Sequence, residues 1–338
     1  MPTFLTTPRM SPELAARVEA SLRGRRVPPR ARLEARSISL LRLAIVAGLS
    51  LLIGSAILSW RRANRELAER RSALVERIER EVASFGPRHR EIPERARAVL
   101  ARSSGDYEGD FVADELRAPG ALAATLRRPT LYLRGTQEML RTRAGLAHSA
   151  AASAKDAFVL CLLDPPSTRS EKALLGRTRQ AYALGSRMRE ATPHVHRLHP
   201  ILVTLPLLDP AWKERVLTAS PYELDDRERE LERAPLGPAK SAGQAELFLF
   251  LIDEPADTSG PTELDGERPH PIRVGLVDLT ADRLLLRLRR RVDPRWLSET
   301  VRAEYARGID SCSLALDVRA ALEVSGARAA NDRAANDR

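Results

Sequence analysis

The chain has 338 residues, 43% of them hydrophobic, and a formal net charge of +10, enough length for one or two domains with a sizeable core. Residues 1–62 hold 11 Arg and 3 Glu, a net of +8, which leaves only +2 for the other 276 residues. A basic nucleic-acid surface on the main domain is therefore not indicated, and aromatic residues at 4% supply few stacking platforms for bases or sugars.

Residues 1–37 read as a basic tail. Ser11-Pro12-Glu13 has the form of a helix start: a serine N-cap, proline at the first helical position, then an acid at the positive end of the dipole. Leu14, Val18 and Leu22 then share one face up to Gly24, which predicts a short amphipathic helix. Arg25, Arg26, Arg30, Arg32 and Arg36, broken by Pro28-Pro29, form a polybasic linker. Such charges meet anionic lipid head groups at about 1 kcal/mol each.

Residues 38–60 read as a transmembrane helix. Leu43 to Trp60 (LAIVAGLSLLIGSAILSW) is an 18-residue run without a charge. At about 1.5 Å per residue it covers roughly 27 Å, close to the hydrocarbon thickness of a bilayer. Its serines can return their hydroxyls to the backbone, Trp60 suits the interface, and Arg42 can snorkel. A tail precedes it and Gly54-Ser55-Ala56 is a poor cleavage site, so it reads as a signal-anchor with Leu43, Gly48, Gly54 and Trp60 as anchor residues. Seven Arg flank it within twenty residues on each side, a tie for the positive-inside rule. The short basic tail favours a cytoplasmic N-terminus and an extracytoplasmic main domain. Ala44, Gly48, Ser55 and Ser59 lie near one face, a spacing that permits a homodimer through the helix.

Residues 61–104 read as a helical stalk. Glu66/Arg70 and Glu76/Arg80 are i,i+4 pairs in the favourable order. Leu67, Leu74, Ile78 and Phe85 approximate a heptad seam that Arg71 and Glu81 interrupt. Gly86-Pro87 stops the run, and Pro93 opens a further helix ending at Ser103-Ser104-Gly105.

Residues 105–324 are expected to form an α/β domain with a mixed sheet, three-layered or open-faced. Strands are expected at Thr130–Leu133, Ala157–Leu163 and Glu246–Ile252, and a hairpin at Ile272–Leu279 and Leu284–Arg289. Helices are expected at Gln137–Ala152, Ser170–Glu190, Pro210–Thr218, Pro221–Ala234 and Pro294–Arg307, the last closed by Gly308. Ile201–Leu208 reads equally as strand or helix. Ser311–Leu322 reads as a helix with strand-like alternation as the alternative. Residues 325–338, with a duplicated AANDR, read as a disordered tail. The element order is similar to that of thioredoxin-like domains, without their Cys-x-x-Cys pair.

Three groups of residues offer chemistry. Asp164, Asp253 (with Glu254) and Asp278 each follow an apolar run; on parallel strands they would share one edge and hold a divalent cation. LFLFLIDEP resembles the Walker B strand of P-loop ATPases, but no Gly-rich loop ending in Gly-Lys-Ser/Thr accompanies it. His194, His196 and His199 offer two zinc ligands on either a helix or a strand, with Asp209 as the candidate acid. Cys161 and Cys312 are too far apart in sequence for a redox pair and are candidates for a disulfide in an exported domain. Arg287, Arg289 and Arg291 alternate on an expected strand, as charges protecting a sheet edge do.

No nucleophile elbow, zinc-protease helix or dinucleotide-binding loop is present, and no cofactor is implied. The expected protein is a membrane-tethered, non-catalytic binding or scaffold protein. Its partners would be the lipid bilayer and another membrane or envelope protein. The alternatives are a divalent-cation-dependent hydrolase and a cytoplasm-facing membrane adaptor.

Overall fold

The computed structural model describes Glu13 and residues 29–153, 156–184, 191–255 and 269–336, with side chains except at 29–41, 294, 302–309 and 326–336. Apart from Glu13, the amphipathic helix expected in the tail lies outside the described residues. The chain divides into two compact units, Met1–Arg70 and Arg71–Arg338.

In the first unit the described chain is helix α1 (Pro29–Ala83), which continues past Arg70. It starts on a proline, where the missing N–H would have had no helical partner. The expected linker through Arg30, Arg32 and Arg36 is therefore helical backbone. Within α1 the apolar window has a mean hydropathy of 2.1 and none of it is buried. Leu43, Leu51 and Trp60 are 71%, 75% and 65% exposed. Gly48 is exposed and Gly54 half-buried. The Ser55 and Ser59 hydroxyls donate to the carbonyls of Leu52 and Ser55 at 2.8 and 2.6 Å. The helix is long and apolar enough to cross a membrane.

The second unit begins inside α1. Leu74, Val75 and Ile78 are buried, and the Arg71 Nε donates to the Ala219 carbonyl at 3.0 Å. After Gly86-Pro87, helix α2 (Arg88–Ser103) buries Ile92, Ala96, Val99 and Leu100 along one stripe. The stalk expected over 61–104 thus joins the domain from Arg71 onward. Its heptad-like residues Leu74 and Ile78 are covered by their own chain.

Among the described residues, six strands form one mixed sheet: β1 (Phe111–Val112), β2 (Thr130–Thr136), β3 (Val195–Arg197), β4 (Leu247–Asp253), β5 (His270–Asp278) and β6 (Arg283–Val292). Their order is β1-β6-β5-β4-β2-β3. Strand β2 runs parallel to both β3 and β4, and the other pairs are antiparallel. Alternation sends Tyr132, Leu249, Leu251 and Val274 into one core and Leu131, Leu133, Phe248 and Phe250 into a second on the opposite face. Both faces are covered, so the domain is three-layered. Continuous apolar runs such as LFLFLI are what strands buried on both sides require.

The helices around the sheet include α3 (Ala121–Thr125), α4 (Arg143–Ala152), α5 (Phe158–Leu163), α6 (Glu171–Leu184), α7 (His199–Thr204) and α8 (Glu299–Asn336). Helices at Pro210–Thr218 and Pro221–Arg233 sit where caps call for them. Asp209 accepts the Ala211 N–H, and Ser220 with Glu223 closes a capping box.

Four further segments differ from expectation. Ala157–Leu163 is helical as α5, because the Asp156 carboxylate accepts the Phe158 N–H at 3.0 Å and starts a turn; a short buried apolar run has no periodicity to tell helix from strand. Gln137–Ala152 splits into a 3₁₀ turn at Met139–Arg141 and α4, which Thr142 caps by accepting from Gly145. Pro294–Trp296 is a separate 3₁₀ turn, and α8 runs on through Gly308. One interior glycine costs about 1 kcal/mol, less than the stripe Leu314, Ala315, Val318 and Leu322 gains by burial. The helical backbone continues to Asn336 where a disordered tail from 325 was expected, in keeping with its alanine-rich sequence.

Candidate functional site

The densest group of buried ionisable side chains lies at the carboxyl ends of β2 and β4. Alternation along β2 places Tyr132 and Arg134 on the same face, and Arg134 is fully buried as the one charged residue of the strand. Register aligns Thr136 with Asp253 on the neighbouring β4, which brings the Asp253 carboxylate to the guanidinium. Arg134 holds it with both arms of its fork, Nε to Oδ2 at 2.9 Å and Nη2 to Oδ1 at 2.6 Å. Its third nitrogen, Nη1, donates to the Ser311 hydroxyl of α8 and lies 3.8 Å from Asp156 Oδ2.

Further partners close the group. Asp156 accepts the Tyr132 hydroxyl, and the Nε2 of His270, at the start of β5, lies 3.0 Å from Asp253 Oδ1. The Ser153 hydroxyl accepts the Arg134 N–H at 2.8 Å. Beside Ser311, Asp310 is 2% exposed and its Oδ2 has no hydrogen-bond partner. The adjoining residue, Cys312, forms a disulfide with Cys161 of α5. The bridge therefore pins α8 to α5 one residue from the Arg134 contact.

The electrostatics follow from this packing. Burial alone would raise the Asp253 carboxyl, but Arg134 and the hydrogen bond from His270 hold it well below the usual carboxylate range. Burial opposes the Arg134 charge, and Asp253 with Asp156 more than restores it. Asp310 has no such help. Burial pushes it up to about 7, Asp253 and Asp293 push the same way, and Arg134 and His270 only partly oppose them. Chemically, the group is a filled ion clamp beside a carboxyl, Asp310, that burial makes easier to protonate. A cleft of about 80 Å³, lined in part by Tyr132, Asp156, His196 and Arg197, adjoins it. That is well under the roughly 300 Å³ at which small-molecule sites begin.

The acids singled out in the sequence do not meet. Asp164 caps the end of α5 and pairs with Arg177 at 2.7 Å. Asp278 pairs with Leu247, at the opposite end of β4 from Asp253. It accepts the N–H groups of Thr280 and Ala281 at 2.9 Å each and an ion pair from Arg128, so it closes the β5–β6 turn. The shared cation edge fails because β5 is antiparallel to β4 and because Asp164 follows a helix. The histidines also separate. His194 is an exposed turn residue, His196 is on β3, and His199 opens α7 with its Nδ1 buried and unpartnered and its pKa lowered by burial. Among the described residues, no group of three or more His, Cys, Asp or Glu is placed to hold a metal ion.

Arg287, Arg289 and Arg290 of the basic run on β6 are paired in place, and Arg291 is exposed. Arg287 pairs with Glu108, while Arg289 and Arg273 share the two oxygens of Glu254 at 2.7 Å each. Arg273 and Arg289 also stand 5.6 and 5.7 Å from the Tyr107 ring.

The sequence reading missed Arg134, Asp156, His270, Asp310 and Ser311. The available signal was an arginine inside TLYLRG, since a charge in a buried strand demands a buried counter-charge. The chain matches no family model, and comparison with curated proteins and with solved structures finds no match.

Two measurements follow. Arg134→Ala leaves the buried Asp253 charge with His270 as its remaining partner, and denaturant unfolding should show a loss of about 3–5 kcal/mol. The double variant Arg134→Met with Asp253→Leu removes both charges and should recover most of that loss. If the double variant is as unstable as the single one, the clamp reading is wrong. The second concerns Asp310, whose carboxyl ordinarily titrates at 3.8 and is raised to about 7. Between those values the folded chain holds a proton that the unfolded chain has released, so stability falls as pH rises. Asp310→Asn should match the wild-type melting temperature near about pH 4 and exceed it near about pH 8. An equal offset at both would remove Asp310 as the source.

Proposed function

We propose that this chain is a single-pass membrane protein whose α/β domain, on the extracytoplasmic side, binds or scaffolds a membrane or envelope partner. The observation that carries the reading is the uncharged window of α1, none of which is buried by the rest of the chain. Each large aliphatic side chain there gains roughly 1.5–3 kcal/mol on leaving water. A bilayer is the environment that supplies this along the whole circumference of a helix.

Two observations support export. The arginines within twenty residues are tied at seven on each side, but the short tail before the helix is basic as a whole while the residues after position 62 net only +2. Cys161 and Cys312 form a disulfide in the second unit, and such bridges persist in oxidising compartments. The reading of binding rather than catalysis draws on the Arg134 group, whose donors are engaged by Asp253 and Ser311. The mechanism would be placement. A tether confines the domain to the membrane surface and raises its effective concentration for a partner there.

Topology decides it. With reporters fused after Arg338, a phosphatase active only outside the cytoplasm should be active and a fluorescent protein that matures only inside should stay dark. Thiol alkylation of the unfolded chain before reduction should leave both cysteines unmodified. The reverse reporter pattern with two free thiols would replace this reading with a cytoplasm-facing adaptor.

A further inference from the structure

Helix α8 buries an acid where it crosses the Arg134 group. Asp310 is 2% exposed and Ser311 fully buried, and both immediately precede the bridged Cys312. No hydrogen bond reaches the Asp310 Oδ2. A buried oxygen left so is costly, and more costly when it carries charge. The ionisable groups that act on it are Arg134 of β2, Asp253 of β4, His270 of β5 and Asp293 just past β6. Arg134 and His270 are both already turned to Asp253, and Asp156 before α5 faces Arg134. The carboxyl therefore sits among charges that satisfy one another and leave it out.

The chain on either side of this residue is fastened. Downstream, the Cys161–Cys312 bridge ties α8 to α5, Arg319 donates to the Leu162 carbonyl at 2.9 Å, and Leu314, Ala315, Val318 and Leu322 are buried. Upstream, Leu297 is buried and the Ser298 hydroxyl donates to Glu171 of α6 at 2.7 Å. Between the two fastenings the helix carries Gly308, which costs about 1 kcal/mol in a helix interior. The first part of α8 thus combines a weak helical position with a buried acid, while both of its ends are held.

We infer that Glu299–Ser311 is a strap over the Arg134 group whose local opening releases a proton from Asp310, with Ser298 and the Cys161–Cys312 bridge as its fixed ends. In the open strap the Asp310 carboxyl reaches water and gives its proton to solvent. Ser311 leaves Arg134 Nη1, which keeps Asp156, at 3.8 Å, as its counter-charge. Because the closed strap holds the proton up to about pH 7 and the open one releases it from about 3.8, opening grows with pH between those values and levels off above them.

The test is hydrogen exchange of the full chain in phosphatidylcholine nanodiscs, read by mass spectrometry, with each rate divided by the intrinsic rate at the same pH. The opening constant of the amides at Gly308–Ser311 should rise about tenfold from about pH 5 to about pH 6. It should not respond to low guanidinium chloride, as local openings do not, whereas the slower amides of Leu314–Leu322 should respond. Asp310→Asn should remove the rise with pH. Replacing the bridge, Cys161→Ala with Cys312→Ala, should let the pH-dependent opening spread into Leu314–Leu322. The inference is overturned if the wild-type opening constant is flat over this range, a result that needs no variant to fold. It is also overturned if the rise survives in folded Asp310→Asn, which would make His270 its source. Equal rates and equal denaturant response at the strap and at Leu314–Leu322 would overturn it in favour of global unfolding. Opening that still stops at Ser311 in the folded bridge-free variant would remove the bridge as the fixed end.

Discussion

A guanidinium in a dry sheet must be matched by carboxylate and hydroxyl groups, and Arg134 draws its partners from three separate parts of the domain. Asp253 comes from the neighbouring strand, Ser311 from the last helix, and Asp156 from the turn that starts α5. The register of β4 against β2, the start of α5 and the seating of α8 are therefore coupled through one side chain. The Cys161–Cys312 bridge fixes the same helix pair covalently, one residue from Ser311. Replacing such a pair with apolar side chains is often neutral, while removing half of it is strongly destabilising. The clamp therefore bears more on which arrangement the layers adopt than on how stable they are.

The buried group is also unbalanced. Asp310 is carried into it beside Ser311 without a hydrogen bond to its Oδ2. The disulfide and the Leu314–Val318 stripe oppose whatever the ionised carboxylate costs. The packing of α8 is thus set by opposing contributions that respond differently to pH and to reduction.

Much of the layout was legible because its causes are local. Asp209 and Ser220 with Glu223 announce two helix starts within four residues, and ELFLFLI reads as a strand from its own composition. The apolar run Leu43–Trp60 needs no tertiary context to be recognised. What escaped depends on distance. The turn that makes Phe158–Leu163 a helix is initiated by Asp156, which is itself engaged by Tyr132 from β2. Arg134 meets Asp253 across 119 residues and Ser311 across 177, and no local pattern reports such a pairing. The expectation of a shared acid edge failed for a similar reason, because only the antiparallel β4–β5 pairing separates Asp253 from Asp278. Leu74 and Ile78 lie in the segment read as a stalk, and their burial depends on covering residues that no local pattern reports.

The central claim is that Arg134 couples the last helix to the sheet. Hydrogen–deuterium exchange of the full chain, comparing wild type with Arg134→Met under native conditions, tests it most directly. The account predicts that backbone protection falls together at Thr130–Thr136, Leu247–Asp253 and the turn of α8 around Ser311, while Pro210–Arg233 is unchanged. Unaltered protection at Ser311, with loss confined to β2, would contradict the coupling.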